Sequence, residues 1–353
     1  MNTTTINKLI KKATKANNIM RYIAVAILLT TLTGCELFLF DHTSPSSNPK
    51  ENFNYLWNEV DKKYSYFEMK GIDWNQIKTK YEVQLRDSMS DEELFDVLAN
   101  LLAELRDDHC NLISPFNISR YNIMLKKPDN FNDRTINEFY VPNARITGSF
   151  LHNFLLGQNI AYMRYSSFSD NVSDIDLDHI LTRYQNTKGL VIDLRENGGG
   201  SIFNVPMILE RFTKEKTQVG YTKTRNGEGH NDFGQLNNFY LGTYNSIKFD
   251  KPVVVLIDRG SYSATTMFAV ACKALNNITL VGDTTGGGGG LPNGGQLPNG
   301  WIYRFSISQL LDLKENNYAE NGVPPDVYAQ FDWTNLTKDE ILEKAIEIIN
   351  GKE

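Results

Sequence analysis

Hydrophobic residues follow two different periodicities along the chain. Between residues 50 and about 110 they recur at three- and four-residue steps, which predicts amphipathic helices. The two stripes comprise Phe53, Leu56, Trp57, Val60 and Tyr64, and then Leu94, Val97, Leu98, Leu101, Leu102 and Leu105. Ser90 and Glu93 have the capping-box spacing at the start of the second helix. Residues 51–112 are therefore predicted to form an N-terminal helical bundle.

Beyond about residue 155, short continuous apolar runs replace the helical stripes. Such runs are typical of strands buried on both faces of a sheet. They lie at 160–165, 190–194, 253–257 and 278–281, with helical patterns between them at 175–184, 202–212 and 264–275. The alternation predicts an α/β domain over residues 158–353, closed by a helix capped by Thr337 and Glu340. Residues 113–157 fit neither pattern and are predicted to be a connecting segment or a small β insertion.

The first fifty residues have the order of a secretion signal followed by a tether. A positively charged segment precedes an apolar run over residues 22–32, which is too short to span a bilayer. The run ends in Leu32-Thr33-Gly34-Cys35, which resembles the bacterial lipoprotein box. That resemblance implies a signal peptide at 1–34, cleavage before Cys35 and lipid attachment to its sulfur. A plain secretory signal with a chance cysteine is the alternative, and translation could begin at Met1 or at Met20.

The charge and residue composition limit the partners and the compartment expected for this protein. The formal charge of −6 and the lack of a Lys/Arg run argue against nucleic acid as a partner. Residues 35–50 are rich in serine and proline and are expected to be a lipid-anchored tether. The mature protein is then expected in the cell envelope, facing the periplasm or the cell exterior. Cys110 and Cys272 do not make a disulfide framework, so buried free thiols are expected.

A glycine run follows one predicted strand. The segment Asp193-Leu194-Arg195-Glu196-Asn197 leads into Gly198, Gly199 and Gly200. Glycine lets backbone N–H groups approach a ligand closely, and two such groups aimed at one point stabilise an oxyanion. A tight turn without chemistry is the alternative. A phosphate loop is disfavoured, because the glycines are contiguous.

A second predicted strand ends in a turn that carries two serines. The strand over residues 253–257 turns through Gly260, and a helix is predicted from about Ala264. Ser261 or Ser263 would then lie at a helix N-terminus, where the dipole favours negative charge. Either serine could instead be a simple N-cap. The spacing is not G-x-S-x-G, so an α/β-hydrolase elbow is not supported.

Five segments together resemble the tail-specific (C-terminal-processing) and tricorn-core serine peptidase family. In chain order they are LRDDH (105–109), DLRENGGG (193–200), VVVLIDRGSYSA (253–264), VGDTTG (281–286) and ENGVPPD (320–326). The resemblance implies a crotonase/ClpP-like ββα spiral for the α/β domain. The family's peptide-binding PDZ module is expected to be absent, since residues 113–157 are about half the length of such a module.

The resemblance also assigns roles to residues. It implies Ser263 as the nucleophile, with Ser261 as the rival, and Glu320 as the acidic group acting on the base directly or through an intervening group. Tail-specific members use a lysine base, and residues 286–290 contain none; tricorn-like members use a histidine, which His109 matches. The expected oxyanion hole is formed by N–H groups of Ala264 and of Gly199 or Gly200. Three neighbours depart from the family pattern: Asp108, Cys110 and Thr266.

The expected function is that of a serine endopeptidase working through an acyl-enzyme. Its substrate would be a peptide or unfolded protein, its membrane contact the lipid anchor, and it would require no metal or other cofactor. A peptide- or small-ligand-binding lipoprotein on the same fold is the alternative. Candidates for nucleophile, base and acid all remain, which favours an enzyme. A metallopeptidase is disfavoured, because the five histidines show no H-E-x-x-H spacing.

Cys35→Ser is expected to abolish incorporation of radiolabelled palmitate when the full chain is produced in a Gram-negative host, because the variant lacks the thiol that would carry the lipid. Cys110→Ser serves as the matched control and should remain labelled. Equal labelling of the wild type and Cys35→Ser would contradict lipid attachment at this residue.

Overall fold

The computed structural model describes residues 45–121 and 128–351. The predicted signal peptide, Cys35 and most of the tether lie outside these residues. Helices come first in the described chain. They are α1 (Pro49–Lys63), α2 (Phe67–Lys70), α3 (Trp74–Glu82) and α4 (Asp91–Ala103). The capping box at the start of α4 is confirmed, since Ser90 Oγ accepts from Glu93 N at 3.2 Å and Glu93 Oε2 accepts from Ser90 N at 2.9 Å.

Strands and further helices follow. The strands of the first half are β1 (Asn111–Ile113), β2 (Arg145–Thr147), β3 (Phe150–Phe154), β4 (Ala161–Tyr165) and β5 (Leu190–Asp193). Those of the second half are β6 (Thr217–Thr224), β7 (Asn237–Leu241), β8 (Val253–Ile257), β9 (Ile278–Gly282), β10 (Pro292–Gln296), β11 (Ile302–Ser306), β12 (Ser308–Leu311) and β13 (Val327–Tyr328). The helices are α5 (Asp133–Thr135), continued by a π-helical turn at Ile136–Tyr140, α6 (Asp174–Tyr184), α7 (Asn204–Leu209), α8 (Ala264–Cys272) and α9 (Glu340–Ile349).

A seven-stranded sheet forms the centre of the α/β part, in the order β13-β9-β8-β5-β4-β3-β2. The strands from β13 to β4 pair in parallel, and every residue of β5 and β8 is buried. Parallel strands covered on both faces produce the continuous apolar runs seen in the sequence. The mixed α/β fold with an N-terminal helical region is thus confirmed.

The segment 113–157 is less irregular than the sequence suggested. Its strand β3 pairs antiparallel with β4, and β2 pairs antiparallel with β3, so both belong to the main sheet. Short strands with weak alternation carry little signal of their own, because their partner strand decides the pairing.

The start of the last helix also differs from the prediction. Its N-cap is Asp339, whose Oδ1 accepts from Leu342 N at 3.0 Å, whereas the Thr337 hydroxyl donates to Asn335 Oδ1. Arg195 decides between the two caps, because its Nη1 donates to Asp339 Oδ2 at 2.8 Å in a fully buried ion pair.

The same arginine stabilises the end of β5. Its Nη2 lies 2.6 Å from Asp193 Oδ2, and its Nε donates to Asp193 Oδ1 at 3.0 Å, with both side chains fully buried. Burial acts in the opposite direction, but the Arg195 guanidinium holds the pKa of the Asp193 carboxyl below its usual range. The glycine run at 198–200 therefore follows a strand end that the Arg195–Asp193 ion pair holds in place.

The helices α1–α4 share their hydrophobic core with β11. The cluster that contains Leu98 and Leu102 also includes Trp301, Tyr303 and Phe305. From Ser47 onward the described chain forms one compact unit. Cys110 and Cys272 are buried free thiols, as expected. Within the described ranges, no helix is long and apolar enough to cross a membrane.

Candidate active site

Ser263 lies at the turn between β8 and α8 in an unusual backbone conformation. It is the N-cap of α8 with φ +58° and ψ −113°, a region that non-glycine residues rarely adopt. Such a conformation costs on the order of 1–3 kcal/mol and persists only where the surroundings enforce it. Here the flanking peptides are held, since Tyr262 N donates to Asn197 O and Ser263 N donates to Gly287 O, both at 3.0 Å. The hydroxyl is thereby presented at a helix N-terminus.

His109 meets this hydroxyl from the other end of the chain. Its Nε2 lies 3.0 Å from Ser263 Oγ, across a sequence separation of 154 residues. The histidine follows α4, and its backbone N–H donates to Asp107 Oδ1 at 2.8 Å. Burial lowers the pKa of His109, with further lowering by the Arg304 and Lys70 cations and an opposing effect of Asp107. The ring is therefore neutral near pH 7, the state in which it accepts a proton.

The second ring nitrogen of His109 faces Ser306. Nδ1 lies 3.4 Å from Ser306 Oγ, which donates its proton to Asp107 Oδ2 at 2.8 Å. Because that hydroxyl proton is directed at the carboxylate, the Ser306 oxygen is left to accept from Nδ1–H. This arrangement selects the tautomer with the proton on Nδ1 and the lone pair of Nε2 directed at Ser263.

Glu320 is not the direct partner of His109. Its Oε1 accepts from Lys70 Nζ at 2.7 Å, and Oε2 is buried with no hydrogen-bond partner among the described residues. Burial, followed by the nearby Asp107 carboxylate, raises the pKa of Glu320 to about 8, against the opposite effect of Lys70. The position beside the imidazole that the sequence analysis gave to Glu320, directly or through an intermediary, is occupied by Ser306 and Asp107.

The two glycines that the sequence offered for the oxyanion hole differ in their hydrogen bonding. The N–H of Gly199 donates to Asn197 Oδ1 at 3.0 Å, an Asx turn that engages this hydrogen. Gly199 instead lets the backbone pass close to the nucleophile, since a β-carbon there would meet Ser263 Cβ at 2.8 Å and Ala264 N at 3.0 Å. The structure records no acceptor among the described residues for the N–H groups of Gly200 and Ala264, and these remain the candidate donors.

Ser261, the rival nucleophile, serves a structural purpose. It is fully buried, its hydroxyl donates to Leu194 O at 2.8 Å, and its Oγ accepts from Asp258 N at 3.1 Å. Thr266, one of the three departures from the resembled family, donates to Gly287 O at 2.7 Å. It thus stabilises the same carbonyl that accepts from Ser263 N.

Sequence reasoning missed Ser306, the role of Asp107, and Lys70. The local sequence around Ser306 gives no signal, because its relation to His109 depends on a long-range strand pair. In that pair Asn111 lies opposite Arg304, so two further residues of the antiparallel register bring His109 opposite Ser306. Asp107 could have been found from its position two residues before the histidine.

Comparisons with known proteins agree with this fold. Residues 159–329 match the model of Peptidase family S41, and residues 45–103 match the Tricorn protease C1 domain. One similar crystal structure is that of a protein from Parabacteroides merdae ATCC 43184, provisionally described as a peptidase. That protein is 38% identical to this chain, and the two structures align with a TM-score of 0.83. The alignment covers 87% of this chain and 98% of that one. The chain belongs to peptidase family S41, a family of serine-type peptidases.

More distant relatives are much longer proteins. The carboxy-terminal processing protease CtpB of Bacillus subtilis is 30% identical over 185 residues, which are 47% of this chain and 36% of CtpB. The tricorn protease of Thermoplasma volcanium is 29% identical over 165 residues, 46% of this chain and 14% of that protein. The chain thus spans little more than a third of the first curated relatives it matches.

Ser306→Ala is expected to lower kcat for peptide hydrolysis about tenfold to a hundredfold, because the imidazole loses the acceptor that orients it. Steady-state kinetics on a fluorogenic peptide measure the effect. Ser308→Ala, at a buried serine that binds Leu291 N instead, is the matched control. An unchanged kcat in Ser306→Ala would contradict the assigned contact.

Glu320→Gln is expected to alter the pH dependence of stability. A carboxyl with a raised pKa in the folded state stabilises the fold fully below pH 4.5, the ordinary value, and this contribution is lost as pH rises through about 8. The free energy of unfolding of the wild type should therefore fall relative to Glu320→Gln between about pH 5 and pH 8. Parallel curves from urea denaturation would contradict the raised pKa.

Proposed function

We propose that this chain is a serine endopeptidase in which Ser263 is the nucleophile and His109 the general base. The observation that carries the proposal is the 3.0 Å contact between Nε2 and Oγ, with the opposite ring nitrogen directed at a hydroxyl that a carboxylate holds. Nucleophile, base and orienting group in hydrogen-bond reach are the arrangement that acyl transfer needs.

The reaction follows from the positions of the protons. As Ser263 Oγ forms a bond to the substrate carbonyl carbon, its proton passes to Nε2 of His109, and the oxyanion is directed at the N–H groups of Gly200 and Ala264. The imidazolium gives that proton to the leaving amine as the peptide bond breaks. Water then attacks the acyl-enzyme, with His109 as base again, and releases the acid.

The Asp107 carboxylate stabilises the imidazolium through Ser306. Two successive hydrogen bonds connect this carboxylate to Nδ1. Its negative charge therefore compensates the positive charge that the ring acquires during attack. Since burial lowers the pKa of His109, the neutral base is present below the ordinary histidine value of 6.5. The acid limb of the kcat/KM profile should accordingly lie below that value.

The proposed substrate is a peptide or an unfolded protein in the cell envelope, reached by an enzyme anchored through Cys35. The relatives from Bacillus subtilis and Synechocystis are carboxy-terminal processing proteases, which supports a peptide substrate. A non-catalytic binding lipoprotein would need neither the strained Ser263 backbone nor the contact with His109. The enzyme is therefore the function that the site supports best.

Purified protein lacking residues 1–34 is expected to cleave unfolded casein or a quenched fluorescent peptide library. Ser263→Ala and His109→Ala should each lower kcat on the order of 10⁴- to 10⁶-fold, because the two side chains act as a unit. Ser149→Ala, at a serine whose hydroxyl binds Asn171 O, is the matched control. Wild-type protein without turnover, or Ser263→Ala with full turnover, would refute the proposal.

A further inference from the structure

Lys70 at the end of α2 makes three hydrogen bonds with its ammonium group. Nζ donates to Leu105 O at 3.1 Å, to Arg106 O at 3.0 Å and to Glu320 Oε1 at 2.7 Å. An ammonium has three donors, and all three are used here. The Lys70 and Glu320 side chains are only 8% and 3% exposed, so the contact between them is buried.

Lys70 and Arg106 stabilise the turn before His109, because each side chain binds the backbone carbonyl of the other residue. The Arg106 guanidinium donates to Lys70 O, while the Lys70 ammonium binds Arg106 O. Arg106 has φ +49°, a left-handed conformation that a non-glycine residue keeps only when its surroundings stabilise it. Three residues further along the chain lies His109. The contacts of Lys70 thus hold the turn that leads from α4 to His109.

The partner of Lys70 supports the nucleophile. The Glu320 peptide packs so tightly on Gly287 that a β-carbon at the glycine would lie 2.0 Å from Glu320 O. Gly287 O in turn accepts from Ser263 N at 3.0 Å. The hydrogen bond from Lys70 to Glu320 therefore connects the turn that carries the base to the segment beneath the nucleophile.

Resting on the proposed function, we infer that Lys70 and Glu320 form a positioning pair that sets the separation of His109 from Ser263. Glu320, on this inference, does not stabilise the imidazolium; Asp107 does so through Ser306. The side chains of Asp107, Glu320 and Lys70 share one buried region with Tyr64 and Tyr66, whose rings lie 5.9 and 5.8 Å from Lys70 Nζ. Loss of the ammonium would leave the Asp107 carboxylate without this compensation.

Three variants test the inference: Lys70→Met, Glu320→Gln and the double variant. Lys70→Met should lower kcat about tenfold to a hundredfold with KM nearly unchanged, because a misplaced base slows chemistry and not binding. Glu320→Gln keeps an oxygen acceptor for Nζ and should retain kcat within about threefold, with the acid limb of the pH profile unmoved. The double variant should lower kcat as far as Lys70→Met does, because burial raises the pKa of Glu320 to about 8 and an amide then removes no charge at neutral pH.

Hydrogen exchange provides a readout that does not need turnover. The amides of Leu105, Arg106 and His109 are hydrogen-bonded, to Leu102 O, Ala103 O and Asp107 Oδ1. They should exchange faster in Lys70→Met than in the wild type and in the control Lys78→Met, whose ammonium lies over Trp57. Thermal unfolding checks that each variant is folded.

The outcomes separate the two proposals. An inactive wild type refutes the proposed peptidase, while exchange at residues 105–109 still tests the positioning pair. Unchanged kcat and unchanged exchange in Lys70→Met would overturn the pair. A loss of a hundredfold or more in Glu320→Gln, with a shifted acid limb, would instead identify Glu320 as the acidic group acting on His109.

Discussion

The contact between His109 and Ser263 brings together two regions of the chain that fold around different cores. The histidine depends on the core that α1–α4 share with β11, and the serine depends on the central sheet. Their side chains meet at 3.0 Å. Because misplacement of a catalytic group by about 1 Å can cost on the order of a hundredfold in rate, the contact depends on how both cores pack.

The groups behind this contact alternate between uncharged and charged side chains. The imidazole is buried and neutral, the first group behind it is an uncharged hydroxyl, and the carboxylate of Asp107 comes next. A carboxylate one hydrogen bond further from the ring still stabilises a transient positive charge. The orientation of Ser306 also determines which nitrogen of His109 carries the proton. Lys70 and Glu320 lie beyond these groups and contact each other at 2.7 Å.

Local patterns predicted a large part of this molecule. The stripe in α4, the capping box at Ser90 and the strand over residues 253–257 all depend on neighbours within a few positions, and each formed as expected. The pairing of His109 with Ser306 could not be predicted in that way, because it depends on the register of β1 with β11. Tertiary contacts likewise decided the cap of α9, where Thr337 and Asp339 are both capable residues and Arg195 favours the second. The hydrogen bond of the Gly199 N–H, by contrast, could have been predicted from the sequence, because it belongs to a local Asx turn at Asn197.

The central claim is that Ser263 is a hydroxyl made nucleophilic by His109, and covalent labelling tests it most directly. The full-length protein would be treated with a fluorophosphonate probe, digested, and mapped by mass spectrometry. The account predicts one adduct, on the Ser263 Oγ, with none in Ser263→Ala and strongly slowed labelling in His109→Ala. An adduct on Ser261, or labelling of Ser263→Ala at the wild-type rate, would contradict it.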